Sequence, residues 1–126
     1  SLLENAMSGL KRIRLELARD PQYPEGSPAI GYDIVAPLAD DGHLDQAAWA
    51  AAPAACTVRH FANAFQERGL LKHGPAGWFF DYKAGQSDDE PLFKLDSHVL
   101  TPGEYVSVTE HNGKLMTFRV VSVEAA

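Results

Sequence analysis

Along residues 12–17, Arg12, Arg14 and Glu16 alternate with Ile13, Leu15 and Leu17. A period of two puts the apolar side chains on one face of an extended chain and the charges on the other, which predicts a half-buried strand. The pattern returns at 30–34, where Ile30, Tyr32 and Ile34 alternate with Gly31 and Asp33, and Pro37 ends the ladder. Residues 20–28 lie between the two and carry Pro21, Pro24, Gly26 and Pro28, the composition of a turn-rich connection.

Asp40, Asp41 and Gly42 predict a turn, and Asp45 is placed to cap a short helix through Trp49 that stops before Pro53. Trp49 would pin that helix to the sheet. Residues 57–61 predict a strand with Cys56, Val58 and His60 on one face and Thr57, Arg59 and Phe61 on the other. Residues 62–68 fit either a helical turn closed by Gly69 or a loop. Two hairpins follow. Residues 70–73 and 78–83 flank Gly74, Pro75, Ala76 and Gly77, while Tyr105, Val106 and Val108 face Met116, Phe118, Val120 and Val121 across Asn112 and Gly113. The acidic stretch 86–91 predicts an exposed loop.

Seven or eight strands with short turns and no long helices between them predict an all-β domain with minor α content. We favour a small closed or partly open antiparallel β-barrel over a β-sandwich, because closure removes exposed strand edges. Residues 1–7 read as a disordered or expression-derived leader, with Met7 and Ser8 as the natural start, ahead of one domain at 8–126.

Composition narrows the setting. Hydrophobic residues at 45% and charged residues at 22% belong to a folding chain. The net charge of −6, from 17 acidic and 11 basic residues, opposes the counterion release that drives binding to nucleic acid, so nucleic acid is a disfavoured partner. The nearest basic group, Lys11, Arg12, Arg14 and Arg19, is interrupted by Glu16 and reads as a solvated strand face. No apolar run is long enough for a membrane helix. Cys56 is the only cysteine, which suits a reducing, cytoplasmic setting.

Chemistry is less legible than fold. His43, His60, His73, His98 and His111 lack the close spacing of a zinc motif, and Cys56 and His60 would lie about 13 Å apart along an extended strand, so no metal is expected. Asp40 with Asp41, and Asp88, Asp89 and Glu90, read as solvated turns. Ser107 has no glycine elbow around it, and no catalytic residue is assigned. The run Trp78, Phe80 and Tyr82 is different, since all three project from one face while Phe79, Asp81 and Lys83 take the other. The three aromatics either fill the core, which buries the larger apolar area, or form an exposed stacking platform for a sugar, a base or a partner chain.

Pro102, Gly103, Tyr105 and Val106, followed by Arg119, Val120, Val121 and Ser122, resemble the paired motifs of the flavin-binding barrel in ferredoxin-reductase-like enzymes. The resemblance implies that Arg119 and the tyrosine-serine segment hold a flavin phosphate and ring. Val121 stands where that family has an aromatic residue.

The expected function is a non-catalytic binding or adaptor barrel without a cofactor. It would recognise a protein, a small molecule or a second copy of itself, as a homodimer, through Arg59, His60, Trp78, Phe80 and Tyr82. The alternatives are a small enzyme in which His60, His73, Asp81 and Arg119 converge at one barrel end, and the flavin barrel.

Overall fold

The computed structural model describes residues 9–82, 93–95, 99–110 and 113–126. Residues 1–7, His98, His111 and the acidic run 86–91 lie outside them. Among the described residues the strands are β1 (Leu10–Leu17), β2 (Ser27–Pro37), β3 (Thr57–Ala62), β4 (Phe65–Gly74), β5 (Gly77–Asp81), β6 (Phe93–Leu95), β7 (Tyr105–Thr109) and β8 (Leu115–Ala125). Each strand pairs antiparallel with the next, and β8 returns to pair with β1, which closes the sheet into an up-and-down barrel. That last pairing excludes a sandwich. Among the described residues β6 meets β7 through Lys94↔Thr109 and Leu95↔Val108.

The period-two pattern sets the inner face. Ile13, Leu15, Leu17, Tyr32, Ile34, Val58, Leu71, Trp78, Phe80, Val106, Val108, Phe118 and Val120 are buried in one core. Burial of this apolar area, at about 25 cal/mol per Å2, is the main stabilising term. Trp78 and Phe80 are 7% and 2% exposed, so the aromatic strand fills the core and its alternative as an exposed platform does not hold.

Residues 62–68 are neither a helical turn nor a loop. They form the tight β3–β4 turn and the first half of β4, with Asn63 at φ 57 and its N–H donating to the Ala29 carbonyl. Asparagine tolerates this left-handed conformation because its short side chain bonds locally.

The two barrel ends differ. At one, the β2–β3 connection carries helix α1 (Gln46–Ala51), whose N–H at Ala48 donates to the Asp45 side chain as expected of the cap. Trp49 pins it to the barrel, donating from Nε1 to the Leu71 carbonyl at 2.8 Å and meeting Trp78 edge to face at 5.5 Å. His73 packs on Trp78 at 4.7 Å. This is the plugged end. At the opposite end lie the β1–β2 connection, the β3–β4 turn, Tyr82 and the β7–β8 turn.

Replacing Trp49 with Phe keeps the ring contact but leaves the Leu71 carbonyl without its side-chain donor. We expect a loss of about 1–3 kcal/mol, seen as a lower urea midpoint at an unchanged slope.

Candidate functional site

The β2–β3–β4 register assembles a polar and aromatic cluster at the second barrel end. Tyr32 pairs with His60, and His60 with Glu67, so all three side chains stand on the inner face. Tyr32 is fully buried, and its ring lies against His60 at 4.6 Å with the planes only 15° apart. Its hydroxyl donates to Glu110 Oε2 at 3.0 Å, a bond that ties β2 to the end of β7. Tyr82, leaving β5, brings its ring to 6.4 Å from His60 and 6.2 Å from Phe80. Phe65 closes the rim at 6.0 Å from His60 and is 53% exposed. Aromatic stacking over a buried floor therefore ends in groups that reach solvent, since His60, Glu67, Tyr82 and Glu110 are each only partly buried.

The electrostatics follow from this placement. Burial is the main cause that drives the Tyr32 hydroxyl well above the ordinary tyrosine value, with Tyr82 and Glu110 adding to it. Burial likewise raises Tyr82, assisted by the negative charges of Glu67 and Glu110. Both phenols thus stay protonated at any physiological pH. Away from this end, burial pushes the Cys56 thiol up to about 11.

These shifts fix the sign of an alkaline effect. In all three groups the folded state holds its proton more tightly than the unfolded chain. Their contribution is therefore complete below the ordinary values of 9.0 for Cys56 and 10.0 for the tyrosines, and is lost as pH rises from there toward the folded values. Stability above that onset should fall by about 1.4 kcal/mol per pH unit for each group that titrates only in the unfolded chain. Urea midpoints between pH 8 and pH 11 check this, and Tyr82→Phe should show the shallower decline.

The structure divides the expected site residues. His60, Trp78, Phe80 and Tyr82 share the barrel interior, with Trp78 at the plugged end and His60 and Tyr82 at the other. Arg59 projects outward. Its guanidinium bonds Asp33 and sits 4.9 Å from the centre of the Phe61 ring, while Arg14 covers the same ring at 4.4 Å and also reaches Glu16 and Asp33. Here Phe61 is buried on the outer face beneath two arginines, and the group staples β1, β2 and β3 together.

The alternative pocket of His60, His73, Asp81 and Arg119 does not form. From Glu67, the partner of His60, to His73 is about 20 Å at the rise of an extended strand, so the two histidines occupy opposite barrel ends. Asp81 is held outside by Lys72 at 2.6 Å, and Arg119 is exposed on β8. A proton relay needs hydrogen-bond reach, which this separation denies.

Tyr105 and Arg119 are strand partners and line an outer groove of about 270 Å3 with Glu16, Arg19, Glu25, Ser27 and Val121. The groove does not fit a flavin. Glu16 and Glu25 share its lining with Arg19 and Arg119, so a phosphate there would meet carboxylates as well as guanidinium groups, and Val121 gives no ring to stack on an isoalloxazine.

Glu67 and Glu110 were not expected in the site. Among the described residues no three His, Cys, Asp or Glu side chains converge to hold a metal, and no helix is long and apolar enough to cross a membrane. No family model, curated protein or solved structure matches the chain.

Proposed function

We propose that the protein is a small-ligand-binding barrel whose site is the end formed by Tyr32, His60, Phe65, Glu67, Tyr82 and Glu110. The observation that carries this is the contrast between the ends. One is covered by α1, Trp49 and Trp78, whereas the other sets partly exposed aromatic and carboxylate groups around the part-buried Tyr32–Glu110 bond. An eight-stranded barrel has room for side chains or for one small ligand, so a binding site belongs at its end rather than through its length. Small-molecule sites generally combine apolar lining with a few convergent polar groups, as here.

Binding is favoured over catalysis by the tyrosines. A general acid or base works best with a pKa near the operating pH, and burial moves both phenols away from it.

A thermal-shift screen of small aromatic compounds tests the reading, since a ligand at about 100 times its Kd adds about 2.7 kcal/mol to the folded state. The stabilisation should vanish in His60→Ala and persist in Arg59→Ala, its neighbour on the outer face. The reverse pattern would move the site to the outside of the barrel.

A further inference from the structure

Independently of the barrel-end site, we propose that the outer face of the β7–β8 hairpin is the interface of a two-fold symmetric dimer with a second copy of this chain. The argument begins with what that face displays. Tyr105, Ser107 and Thr109 stand opposite Arg119, Thr117 and Leu115, and they alternate with the inward-facing Val106, Val108, Met116 and Phe118. Tyr105 is 59% and Leu115 58% exposed, so two of the three exposed large hydrophobic residues among those described share one hairpin face. Arg119 is the single charge among the six residues of that face, in a chain of net charge −6.

This combination selects the partner. A copy of the chain brings the same excess of negative charge, and two such molecules approach at least electrostatic cost where each lacks it. Interface cores are depleted of charged residues and enriched in tyrosine and arginine, which is the composition here. The outer face of β1, β2 and β3 does not compete, because Arg14 and Arg59 are bound to Asp33 and stacked on Phe61.

The Tyr105–Arg119 end of the hairpin face opens into the groove of about 270 Å3, and the groove supplies complementarity. A two-fold contact sets one surface against itself, so that surface has to carry both signs of charge. Arg19, Arg119 and Glu25 all line the groove, and among the described residues none of the three forms an ion pair, whereas Glu16 is held by Arg14 at 2.9 Å. Glu104, exposed beside Tyr105, adds an acid at the same end. Across a two-fold axis, Arg119 of each copy meets Glu25 of the other. Each Tyr105 ring enters the opposite groove, where Leu17, Pro28 and Val121 give it an apolar wall.

Sedimentation velocity on the intact chain, at concentrations up to about 1 mM, tests the inference. The chain should sediment as a monomer–dimer equilibrium. Tyr105→Ala and Arg119→Glu should each weaken it at least about ten-fold, whereas Arg68→Glu, the same charge reversal on the outer face of β4, should stay within about two-fold. Arg119→Glu keeps the test alive if Tyr105→Ala fails to fold. Glu25→Arg alone should also dissociate, but mixing it with Arg119→Glu should restore dimers, because the mixed pair regains both contacts. An ion pair within one copy could not produce that rescue. A monomer at every concentration would overturn the proposal. So would mixed variants that stay apart, or a dimer that Tyr105→Ala and Arg119→Glu leave unchanged, since association would then use another face.

Discussion

Trp78→Ala lowers the melting temperature by roughly 10–20 °C and does so without a ligand present. The indole is 7% exposed and packs between Trp49 and His73 at the plugged end, so its removal opens a large void beneath α1. Losses of about 3–5 kcal/mol are usual for such a truncation. Phe79→Ala, one position along β5, is the control. Its ring is on the outer face, and the loss should stay near 1 kcal/mol, within the range of partly exposed substitutions. Equal effects at the two positions would mean that the strand has been read with the wrong face inward.

The second large effect is expected at Gly69. It sits mid-strand in β4, opposite Val58, and faces inward where β5 ends. A Cβ there would overlap the Asp81 carbonyl oxygen and come within 2.6 Å of Tyr82 Cα. Backbone is the obstacle, so no rotamer change relieves it. Glycine thus lets the end of β5 cross close over β4, the use of glycine expected at a tight barrel bend. Gly69→Val should cost more than about 3 kcal/mol, and Gly69→Ala about 1–3 kcal/mol, the range for overpacking. Because Tyr82 is the residue displaced, Gly69→Ala should also weaken aromatic ligands while the barrel still folds. Stability measured by urea, together with ligand affinity of the folded variant, checks both parts.

How much of this was legible in the sequence depends on the distance over which each feature is encoded. Alternation at 12–17 and 30–34 reports local burial and matches the inner faces of β1 and β2, while at 57–61 it separated the two faces of β3 without naming the inner one. Asp45 and Trp49 were legible because cap and helix adjoin. Residues 62–68 were not, because the positive φ of Asn63 has no hydrophobic signature and Gly69 imitates a helix terminator when its role is to admit the neighbouring backbone. Ring closure was favoured only through the general cost of exposed edges, since nothing in β1 or β8 names the other as its partner. The β1–β8 register even shifts between Arg14 and Leu15.

The site was half visible. Of the expected residues His60 and Tyr82 belong to the site, Trp78 and Phe80 fill the core, and Arg59 was included although alternation already put it opposite His60. Glu67 and Glu110 were missed because an acid within or beside a strand reads as solvated. One signal pointed toward them. Tyr32 shares the apolar face of β2 with Ile34, and a buried phenol needs a partner for its hydroxyl. That partner is Glu110, and it lies 78 residues away, beyond the reach of any local pattern.

The central claim, that ligands enter at the Tyr32–His60–Tyr82 end of the barrel, is tested most directly by the histidine ring signals themselves. His60 and His73 are built-in reporters at opposite ends of the barrel interior. A carbon-edited spectrum, assigned with His60→Gln and His73→Gln and titrated with phenethylamine and phenethyl alcohol, should show the His60 ring protons moving with ligand while those of His73 stay in place. Movement at His73 with His60 unchanged, or movement at neither ring, would contradict the account.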